Sequence, residues 1–139
     1  MHIPKIEQRY YNELLNAIND GVNNGLNWDL IRLSKICGRE IQSCELEGID
    51  EDSVSPEIIE QLYYGRPPKF EKVSREEFMI VMNDILDNKY SEGRQNWIFE
   101  MFEIMFSLPT GFISQKMYFD NVKTDILWLE IQGYRPIIL

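Results

Sequence analysis

The chain has 139 residues, of which 44% are hydrophobic and 12% aromatic, and its formal net charge is −9. A chain of this length and composition can bury a core without a metal or a disulfide, so we predict one globular domain over residues 1–139. The excess of carboxylates argues against binding to nucleic acid or to anionic membranes, and it suits a basic protein partner.

The sequence predicts neither a targeting segment nor a membrane span. The first residues, MHIPKIEQRYY, lack the apolar core of a signal peptide, and no apolar run approaches the length of a spanning helix. Cys37 and Cys44 are seven residues apart, which on one helix is too far for a disulfide. We therefore expect a cytoplasmic protein with two free thiols.

Two helices are predicted in the first third of the chain. The first covers about residues 4 to 20, where apolar residues recur at three- and four-residue steps after Pro4. The second follows Asn27 as its cap, and its apolar stripe continues in phase past Gly38. We predict that it runs to about Glu47; the alternative is an end at Cys37 with Gly38 as the C-terminal cap.

Two further helix starts have strong capping signals. Ser55-Pro56-Glu57 combines a capping hydroxyl, a proline at the first position and an acid near the positive end of the helix dipole, and Gly65 ends this helix. Ser74 and Glu77 have the spacing of a capping box, which predicts a helix to about Asn88. Val73 and Phe78 flank that box as a hydrophobic staple.

The C-terminal third begins with a helix after Ser91 that is apolar nearly all round, so we expect it to be the central buried helix. For the tail we favour a helix from about Asn121 to Gln132, with Gly133 as its cap. The alternative is a short β hairpin formed by FISQKMYF and DILWLEI. The predicted fold class is therefore mainly α, an irregular bundle of about six helices, with the C-terminal hairpin as the open alternative.

Known catalytic and metal-binding patterns do not match this sequence. His2 is the only histidine, which argues against a Ser-His-Asp site, a Cys-His site or a zinc site. No phosphate-binding glycine loop is present, and GIDEDSVSPEIIE lacks the mid-loop glycine and the last glutamate of a calcium loop. We predict no catalytic residue, metal, cofactor or small-molecule substrate.

The most distinctive feature is an acidic run followed by two tyrosines. Eight carboxylates fall between Glu40 and Glu60 without an intervening Lys or Arg, and Tyr63 and Tyr64 come next. One interpretation is a solvated loop, with the tyrosines packed under the Pro67-Pro68 link. The other is a docking surface, in which acids attract a basic protein around an aromatic anchor. The binding residues on this second interpretation are Glu45, Glu47, Asp50, Glu51, Asp52, Glu57, Glu60, Tyr63 and Tyr64.

A second candidate surface lies in the aromatic-rich C-terminal part of the chain. Its residues are Tyr118, Phe119, Trp128 and Tyr134, and ordinary core packing is the alternative interpretation for them.

The whole sequence resembles bacterial immunity proteins, which are small, acidic, helical inhibitors of secreted toxins, including those of contact-dependent growth inhibition. Leu62-Tyr63-Tyr64 after an acidic helix is similar to the paired tyrosines of colicin nuclease immunity proteins, although here the tyrosines lead into Gly65-Arg66-Pro67-Pro68. The resemblance implies that the protein binds a cognate basic toxin, often a nuclease domain, and blocks it without turnover. The alternatives are a phage or mobile-element regulator that mimics DNA and a small enzyme of unknown type.

Overall fold

The computed structural model describes residues 2–135, and within them the chain is mainly helical, with seven α-helices and no β-strand. A 3-10 turn covers Ser43–Leu46, and the sixth helix continues as a π-helical turn over Gln115–Phe119. The helices are α1 (Gln8–Asn23), α2 (Leu30–Cys37), α3 (Pro56–Tyr64), α4 (Arg75–Leu86), α5 (Glu92–Met105), α6 (Phe112–Ser114) and α7 (Thr124–Gly133). The mainly-α prediction is confirmed, with seven helices instead of about six.

Contacts divide the chain into two compact units, His2–Gly65 and a second unit that begins at Arg66. The single domain over residues 1–139 stays a prediction. Among residues 2–135, no helix combines the length and the apolar character that crossing a membrane requires.

The N-terminal unit packs α1, α2 and α3 around one apolar core. In α1 the buried residues Leu14, Ala17, Ile18 and Gly21 recur at the spacing of one helix face. The ring of Trp28 lies where a β-carbon at Gly21 would be, so a residue without a side chain is needed there. The other buried members of this core are Leu33, Ile41, Leu46, Ile49, Ile59 and Leu62.

The predicted continuous helix through Gly38 is wrong, and the alternative is correct. Gly38 adopts a left-handed conformation with φ of 68°, and its N–H donates to the Ser34 carbonyl at 2.9 Å. Because glycine enters this conformation without a side-chain penalty, it ends α2 and lets the following chain turn. The helix cap is also Asp29, which accepts from the Arg32 N–H at 3.0 Å, and not Asn27.

The three serine-capped helix starts lie where the sequence predicts them. Ser55 accepts from the Ile58 N–H at 3.3 Å, Ser74 from the Glu77 N–H at 3.2 Å and Ser91 from the Arg94 N–H at 3.4 Å. Each bond satisfies a backbone donor that the first helical turn leaves without a partner.

The C-terminal unit is built around α5, which has eight buried residues among its fourteen. Phe102 of α5 is fully buried against Phe78 of α4, with ring centroids 5.0 Å apart, and Trp128 of α7 lies 5.1 Å from Phe78. The tightly packed aromatic side chains therefore connect α4, α5 and α7.

The alternative C-terminal hairpin is wrong. Residues 112–119 form helical turns, in which the Gln115 N–H donates to the Gly111 carbonyl at 2.9 Å. Residues 124–133 form α7, because Leu127 and Ile131 recur at a four-residue step and are buried on the same side.

Candidate functional site

The acidic run lies mainly in the chain that connects α2 to α3 in the N-terminal unit. We call residues 40–52 the acidic segment. It contains no Lys or Arg, and its carboxylates alternate with buried apolar residues, because Ile41, Leu46 and Ile49 belong to the core. These core residues hold the backbone of the segment in place. The residues of the segment whose carboxylates are exposed and outside the 3-10 turn are Glu40, Glu47, Asp50, Glu51 and Asp52.

Hydrogen bonds order the most acidic part of the segment. One oxygen of Asp50 accepts from the N–H groups of Asp52 and Ser53, at 2.9 and 3.1 Å. The Ser53 hydroxyl accepts from the Asp50 N–H at 2.7 Å and lies 3.2 Å from the Gly48 carbonyl, to which it can donate. A loop closed in this way loses little conformational freedom when a partner binds, so it presents its carboxylates at low entropic cost.

Glu45 has a structural role within the segment. One of its oxygens accepts from the Gln42 N–H at 2.8 Å, and the other lies 2.8 Å from a guanidinium nitrogen of Arg39. Burial works against ionisation of Glu45, but these two partners outweigh it and lower the pKa of the carboxyl group. Arg39 also donates to the Leu62 carbonyl at 2.6 Å, so it links the segment to α3.

Glu60 and Tyr64 hold α3 to the N-terminal segment. Glu60 is 8% exposed, and the Tyr64 hydroxyl donates to it at 3.0 Å while accepting from the Ile6 N–H at 3.3 Å. Glu57 is half-buried in the first turn of α3, where its negative charge interacts favourably with the positive end of the helix dipole. These three residues were predicted to bind a partner, and the structure places Glu60 and Tyr64 in internal contacts.

Tyr63 is half-buried on the outer side of the N-terminal core. Its ring stacks on Tyr10 of α1, with centroids 6.2 Å apart, and meets the Tyr64 ring edge-on at 5.8 Å. Desolvation, and next the neighbouring Tyr10, raise the pKa of the Tyr63 hydroxyl. Both tyrosines thus have contacts with α1 or with Ile6, which the sequence interpretation did not include.

A groove beside the acidic segment was missed by the sequence reasoning. It has a volume of about 530 Å³, and Ile31 on its wall is 73% exposed. The sequence feature that could have indicated the groove is Ile31, because it follows Leu30 directly and therefore lies off the apolar stripe that α2 buries. The groove is lined by Leu30, Ile31, Ser34, Lys35, Arg39, Glu40, Ile41 and Gln42.

The aromatic C-terminal part is only partly exposed. Tyr118 and Phe119 are 50% and 76% exposed, as expected for a surface. Trp128 instead packs edge-on against Phe106 at 5.8 Å, and Tyr134 packs against Phe112 at 5.3 Å, as the core-packing alternative predicts.

In the part of the chain that the structure describes, no group of three or more His, Cys, Asp or Glu side chains is arranged to hold a metal ion. Comparisons of the chain with protein-family models, with curated proteins and with solved structures gave no match. The fold and the candidate site therefore define the protein only as a mainly helical chain that presents an ordered acidic segment.

Proposed function

We propose that this protein is an immunity protein, which binds a cognate secreted bacterial toxin with a basic domain and neutralises it by stoichiometric binding. The observation that supports the proposal best is the ordered acidic segment. Its exposed carboxylates lie on a backbone anchored by buried Ile41, Leu46 and Ile49 and closed by the hydrogen bonds of Asp50 and Ser53.

The chemistry of the segment fits a cationic protein surface. Clustered charges of one sign raise the rate at which an oppositely charged protein associates, from about 10⁵–10⁶ M⁻¹s⁻¹ toward the diffusion limit. If the toxin is a nuclease, its basic site binds phosphates, and the exposed carboxylates would occupy the positions of those phosphates. The toxin would then be blocked without any chemical step.

The geometry divides the predicted binding residues into three groups. Glu47, Glu51 and Asp52 are exposed and contribute charge directly to the proposed interface. Glu45, Asp50, Glu60 and Tyr64 support the shape of the unit through the bonds described above. Tyr63 has a half-buried ring in a three-tyrosine cluster, so we propose it as the aromatic anchor, and Glu57 in the first turn of α3 as a further charge.

The immunity interpretation is preferred over the DNA-mimic alternative because of the spacing of the acids. Glu47, Asp50, Glu51 and Asp52 lie within six consecutive residues of one turn-containing loop. A DNA mimic requires its acids at phosphate-like intervals along an extended surface. Within residues 2–135, no observation favours the alternative of a small enzyme.

The proposal predicts that the gene immediately upstream encodes a secreted protein with a basic C-terminal domain, which is the expected toxin and the test partner. Expression of that domain should arrest growth, and co-expression of this chain should restore it. Failure to restore growth, with no complex between the two purified proteins, would contradict the proposal.

The role of the acidic segment is tested with a triple variant, Glu47→Gln, Glu51→Gln and Asp52→Asn. We expect association at low salt to slow by about tenfold and to depend less on salt, because steering scales with local charge. The matched control neutralises Glu13, Glu71 and Glu76, which are exposed elsewhere and change the net charge equally. Equal slowing by both variants would show that net charge, and not the acidic segment, attracts the partner.

A further inference from the structure

The C-terminal unit has an apolar surface that the toxin-binding proposal does not use. Eight large hydrophobic side chains are exposed in the described residues, and six of them lie in this unit. Isolated apolar residues are normal on a surface, whereas a contiguous apolar patch is typical of an interaction site. The six are Ile80, Leu86, Tyr118, Phe119, Ile126 and Leu129.

Helix α7 carries an apolar face on the side opposite its core contacts. Thr124, Leu127 and Ile131 are buried on one side of the helix. Ile126 and Leu129 are 46% and 63% exposed, and with Gly133 they recur at three- and four-residue steps on the other side. The described residues therefore cover this outer face only in part.

Gly133 makes close approach to this face possible. It is exposed, and a β-carbon added there would meet no atom within 4 Å. Among the described residues, none therefore packs against α7 at this position. A large side chain from a neighbouring molecule, such as an isoleucine, can pack directly against the helix at this point.

The charges at the two ends of α7 have opposite signs. Asp125 lies in the first turn, and Arg135 follows the last turn, where its guanidinium donates to the Gln132 carbonyl at 3.1 Å. Asp125 and the last helical residue, Gly133, are separated by about 12 Å along the helix at 1.5 Å per residue, and Arg135 lies two residues beyond its end. Asp120 and Lys123, both exposed, add one charge of each sign, so the rim of the face is neutral in sum.

A neutral rim of both signs fits a second copy of this chain better than a basic partner. In a two-fold pair, each charge can meet the opposite charge of the other molecule. A cationic partner would instead place its positive charges beside Lys123 and Arg135. The face therefore differs in character from the acidic segment, which has no positive charge among its residues.

We propose that this face is a self-association site, at which α7 packs antiparallel against α7 of a second copy of the chain. A two-fold axis midway between residues 129 and 130 places Ile126 opposite Gly133 and brings the two Leu129 side chains within one residue of direct opposition. The same register places Asp125 within one residue of Arg135, and symmetry forms the Ile126–Gly133 and Asp125–Arg135 contacts twice.

A groove also lies at the start of α7. Leu86, Tyr118 and Val122 line a groove of about 350 Å³ at the edge of residues 117–124. The exposed apolar side chains of the α7 face are only Ile126 and Leu129, so the contact is smaller than the about 800 Å² per partner of a standard stable interface. We therefore expect a reversible dimer that forms at micromolar or higher concentration.

The experiment is sedimentation equilibrium on the purified chain from micromolar to millimolar concentration. The chain should dimerise, and Leu129→Glu should raise the dissociation constant at least about tenfold, because it buries two carboxylates at the axis. Leu26→Glu is the matched control: it adds the same charge at an exposed leucine of the N-terminal unit and should leave dimerisation unchanged.

A charge exchange tests the register. Asp125→Arg and Arg135→Asp should each weaken the dimer, and the double variant should restore it, because the pair is re-formed with reversed signs. Circular dichroism verifies that each variant is folded. A chain that is monomeric at all concentrations, a dimer unaffected by Leu129→Glu, or a double variant no better than the single ones would overturn the proposal. None of these outcomes bears on the toxin-binding proposal, which is tested in the other unit.

Discussion

Replacement of Glu103 by alanine should destabilise the C-terminal unit strongly. This carboxylate is 6% exposed on α5, and its two oxygens accept from the N–H groups of Gly111 and Ile113, at 3.0 and 3.2 Å. It thereby holds the start of α6 against the central helix. Gly111 has a left-handed conformation with φ of 85°, which glycine adopts without strain. Glycine therefore allows the turn into α6, and Glu103 holds that turn in place.

The expected loss follows from the two hydrogen bonds. A hydrogen bond to a charged group contributes about 1.5–3 kcal/mol, and alanine also leaves the buried Ile113 N–H without a partner. Burial works against the charged form and outweighs what the two bonds give it, so the loss comes mainly from the N–H groups of Gly111 and Ile113 that alanine leaves without an acceptor. We expect a decrease of about 3 kcal/mol in the free energy of unfolding, which is a large fraction of the total of about 5–15 kcal/mol for a typical domain.

The assay is urea unfolding followed by far-ultraviolet circular dichroism, with Glu100→Ala as the matched control. Glu100 lies on the same helix, and its ion pair with Arg66 is 3.7 Å long and largely in solvent, so its removal should cost less than about 1 kcal/mol. Equal losses in the two variants, or a loss below about 1 kcal/mol for Glu103→Ala, would refute the reasoning about buried acceptors.

Three further predictions concern protonation, backbone strain and thiol accessibility. Burial raises the pKa of Glu103 above its usual 4.5 despite the two N–H donors. Protonation of Glu103 therefore stabilises the folded state. This stabilisation is complete below pH 4.5 and is lost as the pH rises through the raised pKa. The advantage of the wild type over Glu103→Gln in unfolding free energy should therefore grow as the pH falls from 7 toward 4.5, and an unchanged difference would contradict this. Gly65 has φ of 66° and ψ of −167°, and a β-carbon there would lie 2.8 Å from Nε of Arg39, so Gly65→Ala should lower stability by about 2 kcal/mol or more. Gly25→Ala, also at positive φ but with no atom nearby, should lower it less, and calorimetry compares the two. Burial raises the pKa of the half-buried Cys37 thiol to about 11. An aromatic disulfide reagent at pH 8 should therefore modify exposed Cys44 in a fast phase and Cys37 only on unfolding. Loss of the fast phase in Cys37→Ser, instead of in Cys44→Ser, would contradict this prediction.

The local signals in the sequence were sufficient for the helix starts at Ser55, Ser74 and Ser91. In each case the hydroxyl, the backbone donor and the following turn lie within a few residues, so the geometry does not depend on the rest of the fold. The same is true of the mainly-α class, which follows from apolar periodicity. The charge of the acidic segment is likewise a property of consecutive residues.

The end of α2 and the burial of the acids depend on contacts between distant residues. The apolar stripe continues in phase through Gly38, and the helix ends there because the turn allows Ile41 and Leu46 to reach the core. Glu60 was predicted to face a partner, but the Tyr64 hydroxyl and the Ile6 N–H, 58 residues from Tyr64, enclose it in a hydrogen-bonded group. Residues close together in sequence determine where a helix can begin. Packing between chain segments that are distant in sequence determines where the helix ends and which polar side chains are buried.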